Sequence, residues 1–99
     1  APYPADGSAP EKVTNAKAAA NGNQVRLTWE PSVAADLHHY SVYCGKSSDF
    51  ECNNETVIRS VMKNSVTDVL PSRPGKLYYK IIAFDNRWNR SEPVLVTVN

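Results

Sequence analysis

Residues 25–30 have the sequence Val-Arg-Leu-Thr-Trp-Glu, in which apolar and polar residues alternate. Because successive side chains of a β-strand point to opposite faces, this period of two predicts a strand with one buried and one solvated face. Asn21-Gly22 before it favours a tight turn, and Pro31 ends the strand. Residues 13–20 are predicted to form a weaker strand, although their alanines would also suit a helix. The fold is therefore expected to grow around an apolar sheet face that carries Trp29.

The rest of the chain repeats the strand pattern. Segments rich in β-branched and aromatic residues, separated by turn-forming residues, span 40–44, 56–62, 66–70, 77–84 and 94–98. No segment has the 3.6-residue apolar period of an amphipathic helix. Seven short strands of this kind predict an all-β fold, a seven-stranded antiparallel two-sheet sandwich of the immunoglobulin-like type.

Length and charge limit the domain organisation and the partners. The chain has 99 residues and a formal net charge of +1, which suits one domain and gives no basic surface for nucleic acid. No apolar stretch approaches the ~18 residues that a membrane-spanning helix needs. Residues 1–10 hold three prolines and no periodic pattern, so we expect a Pro-rich linker there and a monomeric domain over 11–99.

Several motifs along the chain resemble those of a fibronectin type III domain over about residues 9–99. They are Leu27-Thr28-Trp29-Glu30-Pro31, Tyr40-Ser41-Val42-Tyr43, Leu70-Pro71 followed by Pro74-Gly75, the strand Tyr79 to Asp85, and the loop ending Asp85, Asn89, Ser91. The family usually has a tyrosine at the position of Leu77, so Tyr78 or Tyr79 is expected to replace it. The side chains expected in the core are those of Trp29, Tyr40, Val42, Tyr79 and Ile81.

The resemblance implies an extracellular, non-catalytic module. The motifs of the chain are most similar to those of modules appended to secreted bacterial glycoside hydrolases and surface proteins. We therefore expect a spacer or structural role beside neighbouring domains, with a carbohydrate-binding or protein-adhesion role as the alternative. Asn54 and Asn89 fit the pattern for N-glycosylation, which matters only in a eukaryotic source.

Cys44 and Cys52 are separated by seven residues of turn-forming character. A loop of that size can bring two cysteines within bridging distance, and closing it would contribute about 2–3 kcal/mol to stability. We expect a disulfide and hence an oxidising, extracellular location. The alternative is two reduced thiols, with Cys44 packed as a small apolar side chain.

No group of residues predicts catalysis, a cofactor or a metal. Gly45-Lys46-Ser47 lacks the upstream glycine of a phosphate-binding loop. His38 and His39 are adjacent, so on a regular strand they would point to opposite faces, and we expect an exposed pair at a strand edge. No serine has the context of a nucleophile, and a thin sandwich offers no cleft for paired carboxylates.

Trp88 is the residue most suggestive of a binding role. It stands in a loop where the family commonly has glycine. It could form a platform for a ligand or partner together with Tyr43 or Arg87, or it could fold back as a lid over the core. The sequence leaves both alternatives open.

Overall fold

The structure, a computed structural model, describes residues 10–32, 36–69 and 76–98. Along these residues the chain forms seven strands: β1 Lys17–Asn21, β2 Gln24–Thr28, β3 Leu37–Gly45, β4 Val57–Val61, β5 Ser65–Val69, β6 Leu77–Asp85 and β7 Val94–Val98. The all-β prediction is confirmed, and residues 13–20 contribute a strand rather than a helix. The linker predicted for residues 1–10 lies outside the described residues except for Pro10. No helix capable of crossing a membrane occurs in the described part of the chain.

The strands form two antiparallel sheets. One has the order β1-β2-β5 and the other the order β4-β3-β6-β7. The two-residue turn Gly22-Asn23 joins β1 to β2, and Gly22 has a φ of +63°, which a residue without a Cβ adopts at no steric cost. The predicted two-sheet sandwich is therefore the observed architecture.

One apolar cluster fills the space between the sheets. The five side chains expected in the core all belong to it, and none is more than 3% exposed: Trp29, Tyr40, Val42, Tyr79 and Ile81. The rings of Trp29 and Tyr40 pack edge to face with centroids 5.3 Å apart. Burying large apolar side chains of this kind contributes about 1.5–3 kcal/mol each, so this cluster is the main source of the fold's stability.

Tyr79 ties the two sheets together. Leu77, at the position where the family usually has tyrosine, is a buried apolar side chain. The hydroxyl of Tyr79 on β6 donates a hydrogen bond to Asp68 Oδ2 on β5, at 2.9 Å. Burial, and then the hydrogen bond and the charge of Asp68, raise the pKa of Tyr79, so its hydroxyl stays protonated and able to donate. Tyr78 alternates to the outer face of the sheet.

Candidate functional site

A groove of about 580 Å³ lies on the outer face of the four-stranded sheet. Its floor comes from β3 and β6, and its walls come from β4, the loop before β4 and the loop after β6. The lining is aromatic and polar: His38, His39, Ser41, Tyr43, Cys52, Asn53, Asn54, Val57, Ser60, Val61, Met62, Phe84, Trp88 and Arg90. Small-molecule sites in proteins commonly have volumes of about 300–1,000 Å³ and a mostly apolar lining with a few polar groups, so the groove has the size and chemistry of a binding site.

A second apolar cluster supports this floor. Tyr43, Ile82 and Phe84 are buried on the outer face, with Phe50, Cys52 and Val57 packed against them. Ser41 and Ser60 share a hydrogen bond of 2.9 Å between their hydroxyl groups. The floor is therefore fixed by packing before any ligand arrives.

Trp88 stands at one end of the groove. Its side chain is 69% exposed. Its ring centroid lies 5.9 Å from that of His38, 5.2 Å from that of His39 and 6.2 Å from that of Phe84. The indole therefore contacts the aromatic groups of the outer face and does not cover the core, which favours the platform over the lid.

Asp85 organises the loop that carries Trp88. Its Oδ1 accepts the backbone N–H groups of Arg87 and Asn89 at 2.9 Å each, and its Oδ2 accepts the side-chain amide of Asn89 at 3.0 Å. Burial raises the pKa of the Asp85 carboxyl, but these hydrogen bonds outweigh it and leave the pKa below its ordinary value. Ser91 closes the loop, because its hydroxyl accepts the N–H of Ala83 at 2.9 Å. The Asp, Asn and Ser of the family motif thus act together to hold the tryptophan outward.

His38 and His39 occupy the same side of the sheet, which corrects the expectation that they point to opposite faces. Leu37 pairs with Asp85 and His39 pairs with Phe84, so His38 is an extra residue inserted in β3. Such a β-bulge breaks the alternation of side chains. The two Nδ1 atoms consequently lie 2.9 Å apart.

The expectation of an exposed pair is wrong for His39, which is only 9% exposed, whereas His38 is exposed. The ring of His39 stacks on Phe84 with centroids 4.6 Å apart and an interplanar angle of 6°. Burial, and to a lesser degree the neighbouring His38, lower the pKa of His39 and favour its neutral form.

The predicted disulfide between Cys44 and Cys52 is absent, and both cysteines are free. Cys44 packs against the core cluster, whereas Cys52 packs against the outer cluster. The alternation of β3 sends Cys44 inward, but the following loop returns over the outer face, where Phe50 accepts a hydrogen bond from Lys80 Nζ at 2.7 Å. The sheet therefore separates the two thiols. Burial raises the pKa of both thiols and keeps them protonated.

Of the residues suggested for ligand contact, Trp88 and Tyr43 both line the groove and Arg87 does not. Arg90 lines it instead. No pattern in the sequence indicated Arg90, because the loop that places it turns through a left-handed backbone at Trp88. Asn53 and Asn54 carried no signal, because the path of their loop over the sheet depends on the packing of Phe50 and Cys52.

The described residues contain no group of three or more His, Cys, Asp or Glu side chains able to enclose a metal ion. The chemistry that the groove does offer is aromatic stacking and hydrogen bonding by neutral groups. Among the described residues that line the groove, Arg90 is the one whose side chain has a permanent charge.

No protein-family model matches the chain, and no curated protein sequence matches it. Solved structures do share its fold. A Fn3-like protein from Clostridium thermocellum has a TM-score of 0.73 at 23% identity, over 93% of this chain and 94% of that one. The spore cortex lytic enzyme SleM from Clostridium perfringens has a TM-score of 0.74 at 20% identity, over 91% of this chain. A β-1,2-glucanase from Parabacteroides distasonis has a TM-score of 0.66 at 26% identity, over 93% of this chain. The matched region is only 28% of SleM and 13% of the glucanase.

Proposed function

Because the chain is a fibronectin type III-like domain, we propose that it serves as a non-catalytic accessory module of a secreted or cell-surface multidomain protein, most simply a carbohydrate-active enzyme. In that role it spaces and orients its neighbouring domains. The observation that carries the proposal is that this fold occurs as a small part of larger enzymes: the matched region is 28% of a spore lytic enzyme and 13% of a glucanase. Since a shared fold does not fix function, the proposal needs its own test.

The extracellular part of the proposal rests on the resemblance to modules of secreted proteins. Two free thiols give no argument for an oxidising compartment, because a disulfide was the feature that implied one. A sandwich of this size with one core can fold without a disulfide, since its stability comes from the apolar cluster between the sheets.

The accessory role is tested on the isolated chain. We expect a monomer in light scattering, one cooperative unfolding transition, and no hydrolysis of a broad panel of polysaccharides and peptidoglycan. Hydrolytic activity that co-purifies with the chain through two successive chromatographic steps would contradict the proposal. An oligomer as the stable species would contradict the spacer role.

A second candidate function is glycan binding in the groove, and the exposed indole of Trp88 is the observation that favours it. An aromatic face can stack on the C–H surface of a sugar ring, while Asn53 and Asn54 supply both donors and acceptors for hydroxyl groups. The described part of the lining has one permanent charge, that of Arg90, which suits a neutral ligand. The fixed floor keeps the ordering cost of binding low.

Glycan binding is tested by a glycan array followed by calorimetry with neutral oligosaccharides. We expect Trp88→Ala to weaken binding about tenfold or more, since loss of a buried aromatic contact commonly costs at least 1–2 kcal/mol. Leu95→Ala is the matched control, because Leu95 is 44% exposed on β7 and does not line the groove. No binding across the array, or equal losses in the two variants, would contradict glycan binding. A protein partner captured through Trp88 would point to adhesion instead.

A further inference from the structure

The chain has two histidines, and the structure brings both imidazoles together at one end of the groove. Their Nδ1 atoms are 2.9 Å apart. With no ion present, that distance is a hydrogen bond in which one ring donates and the other accepts. The bulge at His38 is what permits it, because a regular strand would separate the two rings across the sheet.

The spacing also fits chelation of one ion. Two nitrogens about 2.0–2.1 Å from a metal and at right angles to each other are about 2.9 Å apart, whereas a tetrahedral angle separates them by about 3.3 Å. Tetragonal coordination by imidazole and water is the preference of Cu²⁺ and Ni²⁺. A structural zinc site needs four protein ligands, and the described residues offer no such set around the pair.

The two rings differ in mobility in the way that a chelating pair needs. His39 is held by stacking on Phe84 and by the edge of Trp88, so its Nδ1 has a fixed direction. His38 is exposed, so its ring can turn until both lone pairs converge on an ion. The proton that the pair shares then moves to Nε2 of its ring, and no net charge on the protein has to change.

We infer that His38 and His39 form a two-imidazole site for a divalent transition ion of tetragonal preference, Ni²⁺ or Cu²⁺, with water as the remaining ligands. The site does not depend on the proposed accessory function, and it shares the groove and Trp88 with the glycan-binding candidate. It lies beside Trp88, whose ring is within 6 Å of both imidazoles measured between centroids, so a paramagnetic ion there quenches the fluorescence of that indole.

The test is calorimetry and tryptophan fluorescence of the tag-free chain titrated with NiCl₂, because Ni²⁺, unlike Cu²⁺, is not reduced by the free thiols. We expect one Ni²⁺ per chain and partial quenching, since Trp29 is buried in the core cluster away from the groove. His38→Ala should weaken binding at least about tenfold by removing one of two ligands. Circular dichroism checks that this exposed substitution leaves the fold intact.

Three controls distinguish Ni²⁺ binding by His38 and His39 from Ni²⁺ binding elsewhere on the chain. Cys52→Ser should bind Ni²⁺ as the unmodified chain does, although Cys52 lines the groove. Trp88→Phe should keep the calorimetric signal and lose the quenching. MgCl₂, a hard ion that prefers oxygen ligands, should give no signal. Unchanged affinity in His38→Ala, loss of binding in Cys52→Ser, or no Ni²⁺ binding up to millimolar concentration would each overturn the inference.

Discussion

At Trp88 the backbone has a φ of +67°, in the left-handed region that L-residues with a Cβ enter at a cost of about 1–2 kcal/mol. Glycine, which the family commonly has at this position, would avoid that cost. The hydrogen bonds to Asp85 hold the loop in this conformation and so maintain a tryptophan at a position where glycine would not be strained. Strain kept in this way is characteristic of functional positions, which is consistent with a role for the indole in binding.

The strain leads to a prediction that compares two substitutions. Trp88→Gly and Trp88→Ala both remove the ring, but only glycine also removes the Cβ. We expect Trp88→Gly to be about 1 kcal/mol more stable than Trp88→Ala, because the left-handed cost exceeds the extra chain entropy of glycine. Urea unfolding of the two variants measures the difference. Equal stabilities would mean that the backbone at residue 88 is not left-handed.

Asp85 predicts a dependence of stability on pH. The hydrogen bonds that it accepts lower its pKa in the folded state, so its contribution is present above the unfolded-state pKa of about 3.9 and is lost as the pH falls through the folded-state value. We expect urea unfolding at pH 7 and at pH 3 to show this loss in the unmodified chain.

Asp85→Asn is the control, since Glu30 and Asp49 also have lowered pKa values and lose stability in acid. The variant should be less stable at pH 7 and should lose less stability between pH 7 and pH 3 than the unmodified chain. If both proteins lost the same amount, the carboxylate of Asp85 would not be what holds the loop.

Among the strands, β5 and β6 belong to different sheets, and the Tyr79–Asp68 hydrogen bond joins them. Tyr79→Phe removes the hydroxyl and leaves the half-buried carboxylate of Asp68 without this donor. We expect a loss of about 1–2 kcal/mol in the free energy of unfolding, measured in urea. Tyr78→Phe, on the outer face one residue away, should change stability by no more than about 0.5 kcal/mol. Similar losses of stability in both variants would contradict the proposed contribution of the Tyr79–Asp68 hydrogen bond.

Strands such as β2 and β7 could be predicted from the sequence because their inward and outward residues alternate, whereas β6 is buried on both faces from Ile81 onward and was indicated by its β-branched and aromatic residues. The bulge at His38 could not be predicted. Leu37 and His39, two residues apart on β3, pair with the adjacent residues Asp85 and Phe84 of β6. This pairing between distant segments leaves no periodic pattern in the sequence of β3. The groove could be predicted from the sequence only in part, for the same reason. Trp88 stood out as a tryptophan at a glycine position, whereas Asn53 and Asn54 reach the groove through the path of a loop.

For the molecule as a whole, the separation of Cys44 and Cys52 by the sheet predicts that stability does not depend on redox conditions. A disulfide closing so short a loop would contribute about 2–3 kcal/mol, and reducing it would lower the unfolding midpoint. We expect the same urea midpoint with and without dithiothreitol, and two reactive thiols per chain after unfolding without reductant. Cys52→Ser should change stability by less than about 1 kcal/mol, because its thiol is only partly buried at the edge of the outer cluster. A urea midpoint that falls when reductant is added would show that Cys52 forms a disulfide with Cys44. The loop that carries Cys52 would then not pack on the outer face as described.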